Sequence, residues 1–410
     1  MPPLTPIKKN ERGKKKRTPR REYNEYKNVD RAFEAAIYYG FTPLALPISV
    51  TKEDQEKAKA LEEKEAKSRC SCHAEPSLEE KIALLRVYQD QKFIDGPQPV
   101  LFCEELPGRK KNEKRLGLDI LGAGKSITEA MLIQTARAIL KDEGFSDISL
   151  SINSVGDRDC GARFIRELTA YYRKHIADLP ASCRASLRKN PTELFACSHE
   201  KCRLLGEDAP KAIAFLSESS RMHFKEVLEY LEELEIPYRM DPFLVGNRAV
   251  TAETVFEIRD ASSKDKTLLC VGSRYNSLAR RLGVKKDIPG VGAVLFLPTT
   301  GAKDSRIVKR LRVPKPSIFF LQLGFKAKLK SLNVIEVLRE IKVPLHQALA
   351  RDRLISQIGS AENMKIPYSI IIGQKEAMEN SVIVRNAATR AQETVKTSAL
   401  QEYLKKMKLV

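Results

Sequence analysis

The stretch PVLFCEELPGRKKNEKRLGLDILG, from Pro99 to Gly122, decides the fold of this chain. Two apolar segments flank a polar loop that contains Pro107 and Gly108, and this arrangement predicts a long antiparallel hairpin. The loop carries basic side chains that are suited to contact an anion such as a nucleotide or an RNA backbone. They are Arg109, Lys110, Lys111, Lys114 and Arg115. A solvated surface hairpin is the alternative, so the rest of the chain has to decide.

The length and net charge of the chain predict a multidomain protein that binds polyanions. A chain of 410 residues is too long for one ordinary domain and predicts two or three. The hydrophobic fraction of 42% is enough for a sizeable core. A net charge of +19 favours polyanionic partners, with nucleic acid the first expectation.

The lack of a recognisable membrane span or secretory signal, together with the scattered cysteines, favours a cytoplasmic protein. We find no run of about 18 apolar residues, so no membrane span is expected. The basic N-terminus lacks the apolar region of a secretory signal. The eight cysteines are scattered through the chain and do not resemble a disulfide framework, which fits a reducing compartment.

Residues 1–27 are predicted to form a basic, disordered arm. Residues 8–21 hold nine Lys or Arg and one acid, Glu11, and such a block of like charge cannot bury a core. The arm is either an RNA-binding segment or a solvated tail. The RNA-binding candidates are Lys14, Lys15, Lys16 and Arg17 in the arm and Lys110 and Lys111 in the hairpin loop.

Two groups of metal-ligand residues stand out. A structural zinc site needs four ligands, usually as two spaced pairs. Neither group supplies four alone, and pairing the two is one route to a site. We assign no metal site and leave open whether the groups bind one. They are Cys70, Cys72 and His73, and Cys197, His199 and Cys202.

The pattern of elements divides the chain after the arm. Residues 28–302 are expected to form the core, with a helix over 28–39, an extended segment over 41–50 and strands including 243–246 and 254–259. Pro314 and Pro316 mark a linker over residues 303–316. Strands alternate with helices over residues 317–410, which indicates a separate α/β domain.

Taken in order, these segments resemble the histidyl-tRNA synthetases, which are class II aminoacyl-tRNA synthetases. The resemblance covers nearly the whole chain after the arm, and the hairpin is similar to the second class II motif. The other matching segments are YYGFTPLALP (38–47), HAEPSLEE (73–80), INSVGDRDCGARFIRELTAYY (152–172), FLVGNRAVTAETVFEI (243–258), GSRYNSL (272–278), PGVGAVLFLP (289–298), IPYSIIIG (366–373) and VIVRNAATRAQETV (382–395).

The resemblance implies an α+β fold. It predicts a class II antiparallel β-sheet core flanked by helices and a C-terminal α/β anticodon-binding-like domain. It also implies a homodimer built by the first motif, a hairpin that holds ATP and the acceptor end of tRNA, and tRNA or another RNA as the partner.

This sequence departs from the family pattern at positions where the family has arginine. On this alignment, Leu101, Gly246 and Thr299 occupy positions where the family has arginine. The family reaction needs cations against the ATP phosphates, because charge builds on the transferring phosphorus and the leaving pyrophosphate. Losing one such contact typically costs about 3–4 kcal/mol, or roughly 10² to 10³ in rate. A register shift would let Arg109, Arg115 or Arg248 substitute.

Other positions keep residues able to bind a ligand. Glu75 and Ser77 stand where the family contacts the ammonium group of its amino acid, and Asp119 replaces a glutamate. For each candidate, maintenance of the fold is the alternative role. The full set of ligand-binding candidates is Glu75, Ser77, Arg109, Arg115, Asp119, Arg274 and Tyr275.

Three functions are compatible with these observations. We expect a synthetase paralogue with a degenerate aminoacylation site that binds tRNA or another RNA, or serves as a regulatory subunit. The first alternative is an active, divergent histidine–tRNA ligase that uses ATP and Mg²⁺ to form histidyl-adenylate. The second is a histidine-sensing protein resembling the ATP phosphoribosyltransferase regulatory subunit. That family generally lacks the C-terminal domain predicted over residues 317–410.

Overall fold

The structure is a computed structural model that describes residues 23–44, 48–64, 77–108, 112–298, 308–347 and 353–409. Within these ranges the strands form three sheets. They are β1 (Tyr23–Val29), β2 (Thr42–Pro43), β3 (Val100–Leu106), β4 (Glu113–Leu121), β5 (Ile148–Gly156), β6 (Tyr238–Met240), β7 (Ala252–Asp260), β8 (Leu268–Arg274), β9 (Gly290–Pro298), β10 (Val308–Pro314), β11 (Ile318–Gln322), β12 (Leu345–Gln347), β13 (Tyr368–Ile372), β14 (Ser381–Asn386) and β15 (Gln392–Lys396).

The helices lie mainly between these strands. They are α1 (Arg31–Tyr38), α2 (Lys52–Lys64), α3 (Leu78–Asp90), α4 (Ile127–Asp142), α5 (Arg158–Lys174), α6 (Ala181–Lys189), α7 (Glu200–Asp208), α8 (Glu218–Glu233), α9 (Leu278–Arg281), α10 (Phe325–Glu340), α11 (Leu354–Asn363), α12 (Gln374–Glu379) and α13 (Leu400–Lys406). Short 3₁₀ helices span Phe93–Asp95, Pro191–Ala196, Ala212–Phe215 and Thr397–Ala399. None of the described helices is long and apolar enough to cross a membrane.

The predicted hairpin is confirmed as strands β3 and β4. They pair antiparallel from Val100 opposite Leu121 to Leu106 opposite Arg115. Strand β9 pairs along the other edge of β4, so the hairpin lies inside an eight-stranded sheet with the order β2-β3-β4-β9-β8-β7-β5-β6. The interior pairs are antiparallel, while the outer pairs β2–β3 and β5–β6 are parallel. The expected antiparallel core is therefore present.

The two faces of the hairpin pack against different helices because successive side chains of a strand point to opposite faces. Leu101, Cys103 and Ile120 belong to a large apolar core that also includes residues of α1 and α4. Phe102 and Leu121 belong to a second core that includes residues of α3. Burial on both faces explains why β4 is enclosed from Arg115 onward.

The C-terminal sheet has five strands in the order β12-β11-β13-β14-β15. Strands β12, β11 and β13 are parallel, and β13, β14 and β15 are antiparallel. The predicted α/β domain is thus present, and it packs against the core. Gln134 Nε2 donates to the Leu332 carbonyl at 3.1 Å, and Arg339 pairs with Asp142 at 3.0 Å.

Three segments differ from the sequence expectations. Residues 23–27 of the predicted arm belong to β1, which pairs antiparallel with β10, a strand inside the predicted linker. The predicted helix over 28–39 therefore begins later, where the Asp30 side chain accepts a hydrogen bond from the Phe33 amide. The predicted strand over 243–246 is wrong. Gly246 has a φ of 62°, and the Asn247 side chain caps the Ala249 amide, so the backbone turns there.

Gly272 in β8 tests how tightly the central sheet is packed. A Cβ at this position would lie 2.3 Å from the Phe256 ring and 3.0 Å from the Gly292 carbonyl. We expect Gly272→Ala to lower the free energy of unfolding by about 1–3 kcal/mol, because neither neighbour can move freely. Urea denaturation measures this change.

Gly359→Ala is the matched control. Gly359 lies within α11, where an added Cβ meets no atom within 4 Å among the described residues beyond its own helix. Since alanine lowers the backbone entropy of the unfolded chain, this variant is expected to gain about 0.4–1 kcal/mol. Equal losses in the two variants would contradict the packing argument.

Candidate functional site

One face of the hairpin carries a cluster of ionisable side chains beneath α3. We call it the hairpin cluster, and it consists of Glu80, Lys81, Glu104, Arg115 and Asp119. Helix α3 positions the first two through a capping box, in which the Ser77 hydroxyl accepts from the Glu80 amide at 3.1 Å and the Glu80 carboxylate accepts from the Ser77 amide at 3.2 Å. The candidate Ser77 thus has a structural role at this helix start.

Arg115 is held inside the hairpin cluster by Glu80. Its two terminal nitrogens each lie 2.8 Å from a carboxylate oxygen, and Nη1 also donates to the Pro107 carbonyl at 3.0 Å. Burial by itself raises the pKa of Glu80, but hydrogen bonds and charge from Arg115 outweigh it and lower that pKa. A bidentate pair of this kind fixes both partners. Arg115 is 2% exposed.

Asp119 is the centre of the hairpin cluster. Its Oδ1 accepts from Lys81 Nζ at 2.5 Å and from the Tyr275 hydroxyl at 2.6 Å. Gly292 of β9 lies opposite Asp119, and a Cβ there would come within 1.9 Å of the same oxygen. The close approach of α3 to the sheet therefore requires glycine at position 292.

Glu104 is the third carboxyl group of the hairpin cluster, which has only two cationic side chains. Burial, followed by the negative charge of Asp119, raises the pKa of Glu104 to about 8. Its Oε2 has no hydrogen-bond partner among the described residues. Burial also raises the pKa of Asp119. With Glu104 protonated, the two cations Lys81 and Arg115 face two carboxylates, Asp119 and Glu80.

A second buried ionic group surrounds Arg274, which is fully buried. Its guanidinium donates to both carboxylate oxygens of Glu129, with Nε 2.6 Å from Oε1, and to the Thr128 hydroxyl at 2.7 Å. His223 Nε2 lies 2.6 Å from the same carboxylate oxygen. Burial alone raises the pKa of Glu129, but the charges of Arg274 and His223 outweigh it and lower that pKa to about 2.

A cavity of about 290 Å³ lies where three of the resembling segments meet. The 152–172 segment contributes Asp157 and Arg158, the 243–258 segment contributes Arg248 and Glu253, and the 272–278 segment contributes Asn276. Asp157 caps α5 by accepting from the Cys160 amide at 2.9 Å. The cavity therefore combines cationic and carboxylate side chains, a chemistry suited to a small polar ligand that bears both signs of charge.

Among the residues singled out from sequence, several lie outside the described residues, and their placement stays untested. They are Lys14, Lys15, Lys16, Arg17, Cys70, Cys72, His73, Glu75, Arg109, Lys110, Lys111 and Thr299. The structure brings Arg115, Asp119 and Tyr275 together with Ser77, whereas Arg274 belongs to the second ionic group.

Sequence reasoning missed five ionisable residues of these two groups, of which Glu80 is the carboxylate that pairs with Arg115. The other four are Lys81, Glu104, Glu129 and His223. Glu129 carried a usable signal, since it interrupts an apolar run within α4 and a buried carboxylate requires a cationic partner. Lys81 gave no such signal, because its partner Asp119 lies 38 residues away in sequence.

Comparison with known proteins identifies the family. A family model described as an anticodon binding domain matches residues 324–407. A histidine–tRNA ligase of Halothermothrix orenii is 31% identical over 335 residues, which cover 79% of this chain and 80% of that protein. The chain belongs to the histidyl-tRNA synthetase family. A histidine–tRNA ligase of Listeria innocua is 28% identical over 335 residues and covers 78% of this chain and 79% of its own length.

Solved structures of the histidyl-tRNA synthetase family were also found. Apo histidyl-tRNA synthetase of S. aureus is 21% identical, covers 91% of this chain and 93% of its own, and has a TM-score of 0.48. A Bacillus halodurans C protein described as an ATP phosphoribosyltransferase regulatory subunit/histidyl-tRNA synthetase is 15% identical, covers 83% of this chain and 91% of its own, and has a TM-score of 0.44.

Two of the positions where the sequence resemblance places an arginine lie among the described residues. Leu101 packs in the core on the α1–α4 side, so it lies on the opposite face from Asp119. Gly246 has a φ of 62°, and a Cβ there would lie 2.6 Å from the Thr251 hydroxyl oxygen. Neither position presents a side chain to the hairpin cluster.

Glu104 makes the stability of the protein depend on pH. Its pKa rises from 4.5 in the unfolded chain to about 8 in the folded one, so the folded state holds one more proton between these values. The stabilisation is fully present below pH 4.5 and is lost as the pH rises through about 8. We expect wild type to lose stability relative to Glu104→Gln across this window, with a limiting slope of about 1.4 kcal/mol per pH unit.

Urea unfolding at several pH values measures this slope. Glu105→Gln is the matched control, because Glu105 is the next residue of β3 but is exposed. Its stability should follow wild type at every pH. Parallel pH profiles for wild type and Glu104→Gln would refute the assignment of the proton.

Proposed function

We propose that this protein is a non-catalytic member of the histidyl-tRNA synthetase family that binds tRNA or another RNA. We further infer that it acts as a homodimer in the cytoplasm. The observation that carries the proposal is the backbone at Gly246, where the resemblance places an arginine. A left-handed conformation and the contact with Thr251 leave no space for a side chain there.

The hairpin cluster supports the same conclusion. Adenylation requires positive charge directed at the ATP phosphates. Arg115 is engaged by Glu80 and Lys81 by Asp119, both within buried pairs. Releasing either cation towards a phosphate would leave its carboxylate partner buried and unpaired, which is strongly unfavourable. The cluster therefore stabilises the sheet and α3 and has no net positive charge to offer.

RNA binding is supported by the C-terminal domain and by charge. The anticodon binding domain model covers residues 324–407, and the two sequence relatives are histidine–tRNA ligases. Residues 317–410 hold 15 Lys or Arg and 8 Asp or Glu. An excess of cations of this size favours contact with a phosphate backbone.

An active histidine–tRNA ligase is the second candidate. It is favoured by Arg158, Arg248 and Arg281, which line the 290 Å³ cavity beside the carboxylates Asp157 and Glu253. In this case the cavity arginines would take the place of the missing family arginine and contact ATP, with Mg²⁺ accompanying the nucleotide.

Histidine-dependent ATP–pyrophosphate exchange distinguishes the two candidates. We expect no exchange above the background without protein, because position 246 supplies no cation and Lys81 and Arg115 are held in pairs. An active histidyl-tRNA synthetase assayed in parallel controls the conditions. Robust exchange that disappears in Arg248→Ala would overturn the proposal in favour of the ligase.

RNA binding is tested separately by a salt titration of the affinity for a tRNA transcript with a histidine anticodon. We expect log Kd to rise linearly with log salt concentration, because each contacted phosphate releases counterions. A variant without residues 1–22 shows whether the arm contributes, and this boundary leaves β1 intact. An affinity that does not respond to salt would contradict contact with the RNA backbone.

The homodimer is tested by analytical ultracentrifugation of the same samples, which should give the mass of two chains.

A further inference from the structure

Residues 158–215 form a helical insert with a small apolar core of its own. The insert contains α5, α6 and α7 and two 3₁₀ helices, and its core includes Phe164, Leu168 and Leu187. Cys183 and Cys202 are also buried in this core, on α6 and α7. One small core thus holds two cysteines on neighbouring helices.

Three cysteine sulfurs converge in the helical insert, and the His199 imidazole lies beside two of them. Cys197 follows the 3₁₀ helix Pro191–Ala196, and His199 immediately precedes α7. The sulfurs of Cys183, Cys197 and Cys202 lie within 4.8 Å of one another. His199 Nδ1 lies 3.2 Å from the Cys197 sulfur and 3.7 Å from the Cys183 sulfur, and the two sulfurs are 3.4 Å apart.

We propose that Cys183, Cys197, His199 and Cys202 bind one structural zinc ion. The zinc–sulfur distance of about 2.3 Å and zinc–nitrogen distance of about 2.0–2.1 Å in tetrahedral sites place neighbouring ligand atoms roughly 3.6–3.8 Å apart. The separations of 3.2–3.7 Å between the ligand atoms of Cys183, Cys197 and His199 are close to these values.

The donor set selects zinc among common metals. Three thiolates and one imidazole are soft and borderline ligands, and a Cys₃His set is typical of closed structural zinc sites. On binding, the three thiols lose their protons to solvent and the imidazole ligates in its neutral form. Zinc thus carries three thiolates and one neutral ligand, and no oxidant or reductant takes part.

A buried hydroxyl beside α7 is consistent with thiolates in this place. Tyr172 is fully buried, and its hydroxyl has no hydrogen-bond partner among the described residues. The hydroxyl lies 3.9 Å from where a Cβ of Gly206 would be, and Gly206 is one helical turn after Cys202 on the same face of α7. Metal-bound thiolates commonly accept hydrogen bonds from such neighbouring donors.

The proposed site differs from the pairing considered from sequence. The group Cys197, His199 and Cys202 obtains its fourth ligand from Cys183, without any residue of the group Cys70, Cys72 and His73. The metal would join α6 to the start of α7 and to the 3₁₀ helix that carries Thr192, a residue lining the cavity. Zinc would therefore stabilise one wall of the cavity and take no part in chemistry.

Zinc content is the direct test. We expect the full chain, purified without a polyhistidine tag and under reducing conditions, to carry about one zinc per chain by plasma mass spectrometry. Cys183→Ser and Cys202→Ser should each lose most of it. Cys270→Ala is the matched control, since Cys270 is a buried cysteine of β8 outside the insert, and it should keep the metal.

A double variant, Cys70→Ser with Cys72→Ser, separates the two cysteine groups and should retain zinc. If it loses zinc while Cys183→Ser retains it, the proposed ligand set is wrong.

Two measurements on the wild-type protein test the zinc site even if the serine variants fail to fold. Cobalt exchanged into it should give the absorption spectrum of a tetrahedral site with thiolate ligands, and a strong chelator should lower the melting temperature. Wild-type protein without zinc, or a disulfide between two of the three insert cysteines with no bound metal, would overturn the proposal.

Discussion

The buried ion pair between Lys81 and Asp119 joins the elements on which the sheet depends. Lys81 comes from α3 and Asp119 from β4, while Gly292 of β9 and Tyr275, next to β8, close around them. An ion pair in this position costs desolvation energy, and it persists because each charge has its partner at short range. The resulting constraint fixes the distance of α3 from the sheet and with it the position of the hairpin cluster.

The same constraint supports the proposal that the protein does not catalyse adenylation. A phosphate-binding site keeps cations available, whereas here Arg115 and Lys81 are held by Glu80 and Asp119. Membership of the histidyl-tRNA synthetase family accounts for the fold of the chain. Activity depends separately on the side chains at the site. The protein combines the family architecture with a cluster whose charges balance internally.

Sequence patterns predicted elements well where the signal is local. The hairpin and the alternation after residue 317 follow from apolar periodicity and turn residues, which act over a few positions. The failure at residues 243–246 has a local cause as well, since Gly246 adopts a left-handed conformation that periodicity does not reveal. Strand β1 was missed because its partner β10 lies about 280 residues away and supplies the hydrogen bonds that define it.

By itself, the sequence determined the fold class, the order of the elements and the family resemblance, because these depend on local propensity and on motifs in a fixed order. Only the tertiary structure decided which charges meet. Asp119 pairs with Lys81 and Glu129 pairs with Arg274 across 38 and 145 residues of sequence. Cys183 meets Cys197 and His199 because the chain between α6 and α7 folds back on itself. Electrostatic partners and ligand sets are set by distances in space, and spacing along the chain does not encode those distances.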